Sequence, residues 1–174
     1  LYNSFLDWDT RNARGIEPLQ PELDRINAIS NLDELAVYFA GAMTRGLDAP
    51  IGAQQLTDFL DPNYYAILIA QSGLGLPERE YYFKDDEKSQ EIRAKYVDHI
   101  AKMFDLAGLE GGAEAAETIM ALETRMAAEN MTKEQLRDYM GNYKKFALAD
   151  LPGLAPSFNW DGWLNELGIQ DLEE

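Results

Sequence analysis

The sequence has no cysteine. Disulfides, thiolate metal ligands and a cysteine nucleophile are therefore excluded. The absence suits a reducing cytosol, but bacterial exported proteins also do without cysteine, so both compartments stay open. Histidine is almost as scarce, with His99 alone among 174 residues. Catalytic zinc ordinarily takes more than one imidazole, and H-E-x-x-H is absent. His99 reads as a residue at the edge of an apolar helix face in preference to a lone general base. G-x-S-x-G and S-x-x-K are missing too, which leaves a serine nucleophile without support. No apolar run approaches the roughly 18–20 residues that a membrane span needs. Basic residues number 15 against 31 acidic ones, a net charge of −16. Such a surface repels phosphate backbones and gains nothing from anionic lipid, so neither nucleic acid nor membrane contact is expected. The acidity itself reads as solubility.

What is present suits a packed domain: 46% of residues are apolar and 26% charged, enough for one domain with a core and too apolar for a disordered chain. The chain opens Leu1-Tyr2-Asn3-Ser4, with neither an initiator Met nor a signal peptide, as an excised segment would. Helical periodicity dominates. The spacing predicts a first helix from Tyr2 to about Arg14, stopped by Gly15, and a short helix from Pro21 through Ile29. Asn31 and Glu34 have capping-box spacing before an apolar face of Leu32, Leu35, Ala36, Phe39 and Met43. Two strand-like runs, 51–59 and 64–70, flank the turn residues Asp61-Pro62-Asn63 and predict a β-hairpin, with a continued helix as the alternative. Longer helices are expected over about 88–107 and 113–128. Thr132 and Gln135 form a second capping box that starts a helix to about Met140, and the tail Pro156 to Trp160 leads into a last short helix through Leu167, ended by Gly168. The expected fold is mainly α, a single helical domain over 1–174 with one β-hairpin.

The motifs that invite chemistry mostly have plainer readings. Gly73-Leu74-Gly75-Leu76-Pro77 lacks the lysine and hydroxyl of a phosphate loop, and Pro77 removes an N–H; it reads as a turn that needs positive φ. Asp85-Asp86-Glu87 lacks the ligand spacing of a calcium loop and reads as negative charge at a helix N-terminus. Tyr81-Tyr82-Phe83, and Trp160 with Trp163, read as packing aromatics before they read as a ligand groove. The residues nominate no catalytic and no metal-binding side chain.

One run says more. Gly73-Leu74-Gly75-Leu76-Pro77-Glu78-Arg79-Glu80-Tyr81-Tyr82 closely resembles the G-L-G-L-P-x-R-D-Y-Y signature of the neprilysin and endothelin-converting-enzyme family, with Glu80 in place of the usual Asp. The likeness continues in order along the chain. Tyr2 to Asp7 is similar to Y-x-S-x-x-D, and Gly15 with Pro18-Leu19 to G-x-x-P-L. The charged stretch Asp85 to Tyr96 resembles that of bacterial members, and Ala121-Leu122-Glu123 resembles the family's A-L-E helix. Arg137-Asp138, Tyr143, Leu148 and Leu151 follow R-D…Y-N…L-x-x-L, and Pro156, Phe158 and Trp160 follow P-x-F-x-W. Lys144 and Ala147 depart from a usual Asn and Thr. The signature residues taken as structural are Gly73, Gly75, Leu76, Pro77, Arg79, Tyr81, Tyr82, Arg137, Asp138 and Trp160.

The resemblance implies the helical, chamber-forming portion of a zinc metalloendopeptidase that acts on oligopeptides. Its partner would be the parent's own thermolysin-like catalytic domain, which carries the zinc; this stretch would hold no cofactor and be inactive alone. Phe5, Lys84 and Arg93 stand where animal members carry disulfide cysteines, which implies a bacterial-type relative, cytosolic or exported. The alternative is a free-standing helical module that binds proteins or peptides without enzymatic activity.

Overall fold

The computed structural model describes residues 2–169. They form eleven α-helices and one two-stranded sheet, the mainly helical fold with a hairpin that the periodicity predicts. Contacts gather the chain into two compact units. One joins the segment ending at Gly41 to the segment beginning at Leu151; the other is Ala42–Asp150.

In the first unit the expected helix from Tyr2 to Arg14 is divided into α1 (Tyr2–Leu6) and α2 (Trp8–Arg14). Asp7 is the cause. Its backbone leaves the helical region (φ −80°, ψ 77°). Its carboxylate accepts from the Thr10 N–H at 3.0 Å and the Thr10 hydroxyl at 2.8 Å. A short acid that satisfies orphan N–H groups starts a new helix more readily than it continues the old one. A 3-10 turn over Glu17–Leu19 leads into α3 (Gln20–Ala28). Most of α4 (Leu32–Thr44) belongs here as well. Asn31 caps it, its Oδ1 accepting from the Glu34 N–H at 2.9 Å. The expected return bond is displaced by one residue: Glu34 accepts from the Ser30 N–H and hydroxyl at 2.8 and 2.9 Å. After α10 (Leu151–Leu154), which the periodicity did not predict, α11 (Trp160–Glu166) is capped by Asn159, whose Oδ1 takes the Gly162 N–H at 3.0 Å. Trp160, Trp163 and Leu164 are buried, with Trp163 fully enclosed. Phe158, Trp160 and Trp163 meet edge to face, the first pair 4.8 Å apart between centroids, the arrangement that ring quadrupoles favour.

The second unit opens with the hairpin. Strands β1 (Ile51–Thr57) and β2 (Tyr65–Gln71) pair antiparallel in unbroken register from Ile51↔Gln71 to Thr57↔Tyr65. The Asp61 carboxylate takes the Asn63 N–H at 3.1 Å, closing the turn between them. After the glycine loop, α5 (Glu80–Phe83) leads to the long helices α6 (Glu87–Ala107) and α7 (Gly112–Glu129), which pack side by side as a helical hairpin. Asp86 caps α6 by accepting from the Ser89 N–H at 3.0 Å and hydroxyl at 2.7 Å. The acidic cluster 85–87 is thus a cap as well as a favourable charge. The Thr132–Gln135 capping box is complete and opens α8 (Lys133–Leu136). That helix does not reach Met140, because Asp138 takes the Gly141 N–H at 2.9 Å and starts α9 (Tyr139–Asn142). The break repeats the Asp7 mechanism.

Candidate functional site

The signature loop, 73–82, is the best-organised polar constellation in the second unit. Leu76, Tyr82 and Ala127 are buried at its centre, with Leu74, Tyr81, Ile92, Tyr96 and Met120 packed around them. The chain turns at Gly73, whose φ is +79°. A Cβ there would also press on the Ala49–Pro50 peptide at 2.9 Å. Gly75 differs from its sequence reading. Its φ is not positive; it is needed because the Tyr96 hydroxyl occupies the place where a Cβ would sit.

Three helices converge behind that loop. The Tyr82 hydroxyl, from α5, accepts from the Leu76 N–H at 3.0 Å and donates to Glu123 Oε2 on α7 at 2.7 Å. The Tyr96 hydroxyl, from α6, donates to Glu123 Oε1 at 2.9 Å. One carboxylate therefore takes both phenols, one on each oxygen. Burial raises both phenol pKa values first, and the hydrogen bond to the Glu123 anion raises them further. Tyr96 is pushed up to about 12 and Tyr82 lies above the ordinary tyrosine range. Neither phenol has an ionisation to offer near neutral pH.

Of the remaining signature residues, Arg79 braces the frame, and Arg93 and Lys133 outside the signature add to it. Arg79 Nε donates to the Ala127 carbonyl at 3.0 Å, at the end of α7, and its guanidinium lies over the Phe83 ring. Arg93 Nη1 donates to the carbonyls of Tyr81 and Lys84 at 2.7 and 2.8 Å, fixing the exit of α5. Lys133, not Arg137, ties α8 to this region, its Nζ 2.6 Å from Glu78 Oε1. Asp138 serves as the α9 cap. Trp160 belongs to the first unit and donates Nε1 to the Ala155 carbonyl at 3.1 Å. Pro77 is exposed.

A second constellation had no sequence signal that separated it from the other acidic residues. Asp58, buried at the end of β1, takes the Leu60 N–H at 2.9 Å, the Tyr143 hydroxyl at 2.9 Å and Lys145 Nζ at 3.1 Å. The Leu60 N–H leads these interactions in holding its pKa down at about 2. Glu123, legible as part of the A-L-E stretch, gave no sign in the sequence that it would collect two phenols. A shallow open groove of about 260 Å³ lies beside β1, bordered by Met43, Leu47, Asp48, Ala53 and Ser72. His99 is exposed on α6. Among the described residues no three His, Asp or Glu side chains gather as a metal-holding group. The arrangement can lock a loop to three helices, and every polar side chain at its centre is already committed to a partner.

The N-terminal model of peptidase family M13 matches residues 1–174. Human endothelin-converting enzyme 1 is 34% identical over 115 residues, 63% of this chain and 14% of that enzyme. Mouse endothelin-converting enzyme-like 1 is 32% identical over 112 residues, with the same coverage. The zinc metalloprotease Zmp1 of Mycobacterium tuberculosis, solved with an inhibitor, superposes with a TM-score of 0.88 at 34% identity over 96% of this chain and 26% of its own. Its open state gives a TM-score of 0.85 at 33% identity. This chain thus spans about a quarter of the structures it matches and a smaller share of the curated relatives. With a family match along its whole length and a frame built from the residues of the G-L-G-L-P signature, the chain belongs to peptidase family M13, a family of zinc metallopeptidases, in its N-terminal region.

Proposed function

We propose that residues 1–174 are the helical, chamber-forming portion of a zinc metalloendopeptidase that acts on oligopeptides. They limit which substrates enter and leave bond cleavage to the parent's catalytic domain. The observation that carries this reading is the pairing of a close structural likeness to a zinc metalloprotease with a chain that accounts for only 26% of it. The donors present here do not fit zinc: one exposed histidine, no cysteine, and, among the described residues, no three His, Asp or Glu side chains gathered around one point. A wall that closes over an active site excludes water and bulky substrates while the chemistry proceeds elsewhere.

The test uses the parent enzyme with surface charge reversals in this segment that leave its melting unchanged. Cleavage of short peptides is compared with cleavage of a long or folded protein. Relative turnover of the long substrate should rise before short-peptide turnover falls. Equal loss of both, with zinc still bound, would count against gating and favour direct positioning of catalytic groups. A parent reading frame without H-E-x-x-H would point instead to a binding module.

A further inference from the structure

The hairpin is held at both ends, and between them its residues are half-buried or exposed. At one end the Gln71 amide brackets Met131, accepting its N–H at 2.7 Å and donating to its carbonyl at 3.3 Å. At the other, Asp58 holds Tyr143 and Lys145. The Asp58 N–H donates to the Tyr64 carbonyl and the Ser72 N–H to the Pro50 carbonyl, both in the register of the ladder. Bonded and non-bonded pairs alternate in an antiparallel ladder. The even-numbered residues therefore exchange the ladder bonds, and Tyr65, Ile67 and Ile69 aim their N–H and C=O groups outward. Among the described residues, none of these three N–H groups donates to another part of the chain.

Proteins blunt such an edge with charge, proline or a bulge. Neither seven-residue strand contains a charged residue or a proline, in a chain that is 26% charged. The pairing register is unbroken. Tyr65 is 74% exposed, and Phe59, Leu60, Tyr64 and Leu68 are exposed as well.

We propose that the open edge of β2, Tyr65 to Ile69, is paired by an extended segment of the parent polypeptide lying outside residues 1–174. The proposal rests on the reading above that such a parent exists. Four arguments select this occupant. The matched metalloprotease has this fold in 26% of its chain, so most of the relative's polypeptide is available to cover it. A two-stranded hairpin is marginal in water and calls for a third strand or a packed layer at all times. A substrate that comes and goes would leave an uncharged edge bare in the resting enzyme, where it invites aggregation. A second copy is disfavoured by a net charge of −16 on each chain.

Residue-resolved hydrogen exchange on the full-length parent tests this. The ladder amides of Ala66, Leu68 and Ala70 are the internal reference, and those of Tyr65, Ile67 and Ile69 are the probe. In the resting enzyme, without peptide and at any concentration, the probe amides should exchange within about tenfold of the reference amides. Fast probe amides beside slow reference amides would overturn the proposal, as would fast exchange throughout the hairpin. Protection only with a bound oligopeptide would overturn it in favour of a substrate edge. Protection that grows with protein concentration would overturn it in favour of self-association. The size-selection experiment reads turnover instead of exchange, so either idea can fail without the other.

Discussion

Gly75 and the two phenols behind it act as one packed device, and substitutions there should show it. A side chain at position 75 has to displace the Tyr96 hydroxyl from Glu123. Gly75→Val should destabilise by about 1–3 kcal/mol, the usual cost of overpacking, read as a lowered melting temperature. Part of the cost of Gly75→Ala should vanish in a Tyr96→Phe background, because the obstructing hydroxyl is gone; an unchanged cost would place the strain in the backbone. Tyr82→Phe leaves the buried Leu76 N–H and one Glu123 oxygen without their partner. It should cost about 1–3 kcal/mol. The raised phenol pKa values have a definite sign. A phenol of ordinary pKa about 10 in the unfolded chain and about 12 for Tyr96 in the fold contributes stability that is complete below the first value. That stability is lost as pH rises through the second. Thermal melts between those values should fall steeply in the wild type and less steeply in Tyr96→Phe.

At the scale of elements, the hairpin is fastened by bonds from outside itself. Asp58 fastens its far end to the irregular stretch after α9. Its carboxylate, at about 2 in the fold and about 3.9 when unfolded, contributes stability that is present above the unfolded value. That contribution disappears as pH falls through the folded one. The Tyr143 ring signals should therefore shift between about pH 4 and about pH 2, and Asp58→Asn should remove that acid transition. If the signals stay constant in the wild type over this range, the clamp is not carried by the ionised carboxylate. Helix breaks belong to this scale too. Asp7 and Asp138 each divide a run whose apolar spacing predicted one helix. Local capping geometry decided against the longer helix, and periodicity alone does not register that choice.

For the molecule as a whole, the donor inventory leads to the clearest expectation. The chain has one histidine, no cysteine and many carboxylates, donors that suit harder ions than zinc. After dialysis against a chelator and then zinc, it should retain no stoichiometric metal by elemental analysis. One tightly held zinc per chain would contradict the proposal that the chemistry lies elsewhere in the parent.

The sequence by itself determined whatever is local. The Thr132–Gln135 box, the Asp61–Asn63 turn, the existence of α6 and α7 and the turn at Gly73 all depend on residues a few positions apart, whose propensities and turn chemistry are written in order along the chain. It also carried the family likeness, because the Gly73–Tyr82 run is contiguous. Tertiary structure alone decided what Gly75 makes room for, which carboxylate joins Tyr82 to Tyr96, and which acid anchors Tyr143. The hydrogen-bonded pairs Tyr82–Glu123, Tyr96–Glu123 and Asp58–Tyr143 lie 41, 27 and 85 residues apart. Among 31 acidic residues no pattern distinguishes Asp58, and the A-L-E stretch marks Glu123 without naming its partners; only packing brings each within hydrogen-bond reach of a phenol, where burial gives the bond its strength.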